Sequence, residues 1–134
     1  LPGGGFGKGE APLEAARRDF ETVARVHAGT EEGIRSRYFL ARIAQIHAYT
    51  PDPAAARAAF LALIADHPDH VFAQLALAKV AEIELYDTSL SADERLARFA
   101  ALEARGTALT HWPARRDFHQ VMAQSALFFD LPLS

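Results

Sequence analysis

The chain has no cysteine, which excludes disulfides, thiol catalysis and thiolate metal sites and leaves the compartment open. It has no apolar run approaching the roughly 18 residues that would span a bilayer. It lacks a basic excess: the net charge is -3, so a nucleic-acid or anionic-membrane surface is not favoured. Alternating runs of β-branched residues between turn signals are missing too, so no strand is expected. Nor does a nucleophile elbow, a phosphate-cradling glycine loop or a zinc-binding helix motif occur. The glycines near the start precede no strand, and Lys8 among them is not a phosphate lysine. Glu82 and Glu84, two apart on a helix, face different ways and make no carboxylate pair.

What is present is helical. The 134 residues fit one domain, 50% of them are hydrophobic and 23% charged, so the chain is globular. A chain of this length buries roughly two thirds of its unfolded surface and needs no staple. There are 28 alanines, and alanine is the best helix former. Five of the eight glycines fall in residues 3–9, so residues 1–12 read as a flexible lead-in to a single domain over 13–134. Beyond Pro12, Gly29, Pro51, Pro53, Pro68, Gly106 and Pro113 all lie between apolar-periodic runs. The spacing predicts helices over 13–28, 31–48, 53–66, 70–86, 92–105 and 113–129.

Several ends are chemically marked. Thr30 suits an N-cap, with Glu31 and Glu32 favourable in the first turn. Asp52 before Pro53 is a cap followed by a first-position proline. Ser91 and Glu94 match a capping box. Asp69 is the expected cap of the fourth helix, and Gly106 the expected left-handed residue closing the fifth.

A period near 40 runs through the chain. Ala16, Phe20 and Val23 share their spacing with Ala56, Phe60 and Leu63, and Phe99 and Leu102 repeat it once more. A fixed period in an all-helical chain points to stacked helix pairs. A second similarity, Ala16–Phe20 against Ala114–Phe118, is offset by 98 residues and reads as chance likeness of two amphipathic helices.

The unit from Arg37 to His70 resembles a tetratricopeptide repeat. Leu40, Ile43 and Ala44 stand at the large-large-small positions of that family's first helix, and Ala56, Phe60 and Pro68 at the small, aromatic and proline positions that follow. Leu77 and Ala78 continue the pattern, whereas His47 and Leu63 depart from it, as does the longer turn at Asp87–Ser91. The resemblance implies an all-α fold, antiparallel helix pairs stacked as a short right-handed solenoid of about six helices. It also implies a concave groove that receives a protein or peptide partner, and it places Tyr38, Gln45, Tyr49, Phe72, Lys79 and Glu82 toward that groove. Tyrosine and phenylalanine would anchor a peptide there, and Lys79 and Glu82 would orient it; for the aromatics, inter-helix packing is the competing reading.

Three functional expectations follow. The first is a non-catalytic binding module without a cofactor. The second is a structural segment of a larger scaffold, or a homodimer joined through the C-terminal helix at Phe118, Met122, Phe128 and Phe129. The third is a metal-dependent enzyme at the turn Asp66-His67-Pro68-Asp69-His70, whose competing reading is a plain inter-helix turn. The single histidines His27, His47, His111 and His119 read as helix-edge or packing residues. The arginine pairs Arg17-Arg18 and Arg115-Arg116, beside Glu14, Asp19 and Asp117, read as solvated faces with local ion pairs. Alanine and arginine richness suits a bacterial protein, and the start at Leu1 with its glycine-rich lead-in points toward export.

Overall fold

The computed structural model describes residues 11–133. Among them are six α-helices, one π-helical turn and no strand: α1 (Pro12–Val26), α2 (Glu31–Arg42), the π turn (Ile43–His47), α3 (Pro53–Asp66), α4 (Val71–Leu85), α5 (Ala92–Gly106) and α6 (Trp112–Phe129). The expected lead-in lies outside the described residues up to position 10; Pro12 already opens α1.

The helix starts follow from side-chain chemistry. The first turn of a helix has backbone N–H groups with no intrahelical acceptor. Thr30 Oγ1 accepts from Gly33 N at 3.1 Å, and Asp52 Oδ1 accepts from Ala55 N at 3.0 Å. Ser91 and Glu94 form the reciprocal capping box, with Ser91 N donating to Glu94 Oε1 at 2.9 Å and Glu94 N to Ser91 Oγ at 3.1 Å.

Three ends differ from expectation. His70, not Asp69, caps α4: its Nδ1 accepts from Phe72 N at 3.1 Å. Gly106 is the last residue of α5 and is not left-handed; among the described residues only Gly29 and Asp130 have positive φ. Gly106 is required by packing, because a Cβ there would overlap the ring of Phe118. The second helix also does not stay α to its end. Its last turn is π, closed by Ala48 N donating to Ile43 O at 2.8 Å.

The chain forms two compact units, residues 1–59 and 60–134, and the division falls inside α3. In the first unit α1 packs on α2. The connection is tight: a Cβ on Gly33 would overlap the backbone carbonyl of His27. Ile34, Tyr38 and Ala41 on α2 and Ile43 in the π turn are buried. No residue of α1 is buried.

In the second unit α4 is the central element, packed by both α5 and α6. Its apolar residues face more than one side, as a helix packed by two neighbours requires, and it buries Ala73, Ala76, Leu77, Ala78, Val80, Ala81 and Leu85. Its alanines let neighbouring backbones approach, while Phe60, Leu63, Phe99, Leu102, Phe118 and Met122 fill this unit's core.

Two polar devices hold the second unit's loops. The Gln74 amide is 3% exposed. Its Nε2 donates to Pro68 O at 3.3 Å and to Thr110 Oγ1 at 2.9 Å. Its Oε1 accepts from Thr110 N and His111 N, both at 2.9 Å. All four hydrogen-bonding positions of the amide are used. Beside it, His111 Nε2 donates to Asp69 O at 2.7 Å; the acceptor is a carbonyl, so that nitrogen carries the proton. The second device is Arg95. Its Nε donates to Leu85 O at 2.8 Å and its Nη2 to Asp87 O at 2.9 Å. This satisfies the Leu85 carbonyl at the end of α4 and gives the Asp87 carbonyl, which also accepts from Leu90 N, a second donor, while the guanidinium lies 4.2 Å from the centroid of the Phe129 ring.

Candidate functional site

A concavity of the first unit lies between α1 and α2. It is an open cleft of about 720 Å³ lined by Asp19, Phe20, Val23 and His27 from α1 and its C-cap, and by Glu32, Arg35, Ser36 and Phe39 from α2. That volume falls within the range of ligand pockets, roughly 300–1,000 Å³. The lining has a simple helical origin. Phe20, Val23 and His27 are spaced i, i+3, i+7; Glu32, Arg35, Ser36 and Phe39 are spaced i, i+3, i+4, i+7. Each set is one stripe of a 3.6-residue helix.

The floor is aromatic. Phe20 and Phe39 stack with centroids 5.6 Å apart and planes 23° from parallel, and Tyr38 meets Phe39 edge-on at 5.5 Å. Arg35 lies 5.9 Å from the Phe39 centroid, so its charge sits over a ring face. Asp19 and Glu32 are exposed at the cleft and make no hydrogen bond or ion pair with another described residue. Arg17, one turn away, is engaged elsewhere: it binds Glu14, and its Nη1 meets Glu21 at 2.8 Å. That hydrogen bond from Arg17 holds the Glu14 carboxyl below its ordinary value.

The six residues expected at a groove divide between the units. In the first, Tyr38 is buried at 8% exposure and packs edge-on against Phe39, Tyr49 is fully exposed, and Gln45 is half-buried with its Oε1 enclosed and unpartnered among the described residues. In the second, Phe72 is half-buried and stacks on His70 at 6.0 Å, and Lys79 pairs with Glu82 at 3.3 Å along one face of α4.

Of the expected oligomer contacts, Phe118 and Met122 are buried at 2% and 3% exposure. Phe128 is exposed, and Phe129 is half-buried. The two rings stand edge-on at 4.8 Å, and both meet Tyr86, at 5.8 Å and 5.1 Å.

At the histidine-rich turn, His70 Nδ1 is occupied by its cap bond and the Asp69 carbonyl by His111. Among the described residues no group of three or more histidine or carboxylate side chains stands where it could hold a metal ion. None of the six helices is long and apolar enough to cross a membrane.

No family model matches the chain, and no curated protein or solved structure matches it.

Most of the cleft's lining carries no distinctive sequence motif. Phe20 and Val23 were legible as members of the periodic apolar set, but as core residues. The available signal was the run of Glu32, Arg35, Ser36 and Phe39 at helical spacing, a stripe too polar to be core and too regular to be incidental.

Proposed function

We propose that this chain is a non-catalytic helical binding module that holds a segment of a protein partner, built of helix pairs in the manner of the tetratricopeptide repeats it resembles. The observation that carries this reading is the α1–α2 cleft: an open, aromatic-floored concavity with carboxylates at its rim. Its residue types suit recognition. Stacked phenylalanines offer rigid apolar area, and charges at the edge select and orient what binds. A general base and nucleophile in mutual reach would argue instead for chemistry, and the cleft's Asp19, His27, Glu32 and Ser36 make no hydrogen bond to one another.

The test is selection from a random peptide library displayed on phage, followed by titration of the winners against the purified chain and against Phe20→Ala. Enriched peptides that bind the native chain and lose about tenfold or more in the variant support the reading, since truncating a central aromatic anchor costs at least ~1.4 kcal/mol. Circular dichroism of the variant controls for folding. A library that yields no saturable binder refutes it.

A second reading is supported by a different surface. Phe128 at 71% exposure, Leu127 at 87% and Tyr86 at 43% leave an apolar face at the end of α6, and exposed apolar patches mark contact sites. Self-association through this face predicts a mass that doubles with concentration in analytical ultracentrifugation and returns to the monomer in Phe128→Asp. A constant monomer mass would exclude it.

A further inference from the structure

The periodic apolar stripe occurs three times, and its copies meet different fates. Ala56, Phe60 and Leu63 are 0% exposed, and Phe99 and Leu102 are 1% and 2% exposed. Ala16, Phe20 and Val23, the first copy, are only half-buried, and α1 has no buried residue. A phenylalanine with an aliphatic residue three positions on is covered in two places and open in one. Phe99 and Leu102 lie on α5, which packs against the helices α4 and α6, so a copy of this stripe is covered by helical neighbours.

The geometry points to an amphipathic α-helix with a basic rim, supplied by a protein partner, as the occupant of the α1–α2 cleft. This rests on the binding-module reading and names its ligand. Shape comes first. The two lining stripes lie side by side on packed helices, and two such stripes form the grooved surface into which a third helix sets its ridges. Asp19 to His27 spans about 12 Å of helix axis at ~1.5 Å per residue, which accommodates two to three turns of a bound helix. Residues i, i+3, i+4 and i+7 of that helix would rest on Phe20, Val23 and Phe39.

Charge decides the rim. Phe20 lies on Phe39 and Gly33 lies against His27, so Asp19 marks one end of the cleft and Glu32 the other. Both carboxylates are exposed and without an ionic partner among the described residues. Arg35, exposed and 5.9 Å from the Phe39 centroid, is the one arginine or lysine of the lining, and Ser36 is buried. His27, exposed at the Glu32 end, is the cleft's other titratable group. With two carboxylates against one guanidinium the lining is net negative, with a carboxylate at each end, and a bound helix with lysine or arginine about two turns apart complements it.

The experiment is a library of amphipathic helical peptides with a fixed leucine and phenylalanine stripe and rim positions randomised between lysine and glutamate. It is panned against the native chain and against Asp19→Lys/Glu32→Lys, whose exposed substitutions leave the packing intact. The expected result is lysine at the rim with the native chain, bound roughly tenfold more tightly than the glutamate-rimmed equivalent, and reversal of that preference with the variant. Bound peptides should also show helical circular dichroism. A pool with no charge bias, an unchanged preference in the variant, or no bound helix at all would overturn the inference. If the random library of the preceding section yields binders to Phe20 that are extended or acidic, the binding-module reading stands and this one falls.

Discussion

Gln74 offers the sharpest test of how the second unit is held. Replacing it with leucine keeps the volume and removes the amide. Two donors lose their acceptor at once, the backbone N–H groups of Thr110 and His111 that now meet Oε1 at 2.9 Å. Pro68 O and Thr110 Oγ1 also lose a donor. Stranding a buried donor costs ~1–3 kcal/mol, and a net hydrogen bond is worth ~0.5–1.5 kcal/mol. Thr110 is exposed and rehydrates, whereas His111 is half-buried and recovers less. The leucine gains some apolar transfer energy in return. The expected loss is about 2–4 kcal/mol, or a fall in Tm of the order of 10 °C. Urea unfolding followed by circular dichroism measures the total. Amide hydrogen exchange at Thr110 and His111 measures the cause, because both should exchange faster even under conditions where the helices stay protected. Gln74→Glu retains an acceptor for the two N–H groups and should fall between the native chain and the leucine variant at neutral pH. A loss below about 0.5 kcal/mol with unchanged exchange at those amides would refute the clamp.

Other outcomes follow from the same structure. Gly106→Ala drives a Cβ into the Phe118 ring and should cost about 1–3 kcal/mol by overpacking, despite alanine's better helix propensity; a stabilised variant would disprove the contact. Arg95→Lys cannot reproduce the two-nitrogen bridge to Leu85 O and Asp87 O or the stack on Phe129, so it should lose nearly as much stability as Arg95→Ala in chemical denaturation. The Ser91 backbone N–H holds the Glu94 carboxyl below its ordinary value. The folded state thus binds this proton more weakly than the unfolded one, and the capping box contributes in full above the unfolded glutamate pKa of about 4.3. That contribution disappears as pH falls through the lower folded value. Ser91→Ala, which keeps the backbone N–H, should cost roughly 1 kcal/mol at pH 7, whereas Glu94→Gln, which removes the ionising group, should flatten the acid side of the Tm–pH curve; a Glu94→Gln curve parallel to the native one would contradict the assignment.

Local chemistry made the helices legible. Thr30, Asp52 and the Ser91–Glu94 pair act within one turn of chain, so sequence alone located these starts. Where a second segment intervenes, local reading misassigns the residue. Gly106 has the composition of a left-handed cap, and only the arrival of Phe118, twelve positions on, explains why a side chain is forbidden there. Asp69 is a better intrinsic cap than His70, yet its carbonyl is drawn to His111 and the histidine ring takes over the amide of Phe72. Tyr38 reads equally well as an anchor or as packing, and its burial shows it packed.

The amino-acid sequence by itself determined that the described residues are helical, where most of the helices begin and which residues recur at apolar helical spacing, because propensity, caps and 3.6-residue periodicity are properties of neighbours along the chain. It could not determine which apolar stripes would be covered. Phe20, Phe60 and Phe99 occupy one repeated position with one chemistry, but Phe60 and Phe99 are sealed and Phe20 floors an open cleft. Burial belongs to the pair of surfaces that meet, and only the tertiary structure supplies the second surface or leaves it missing.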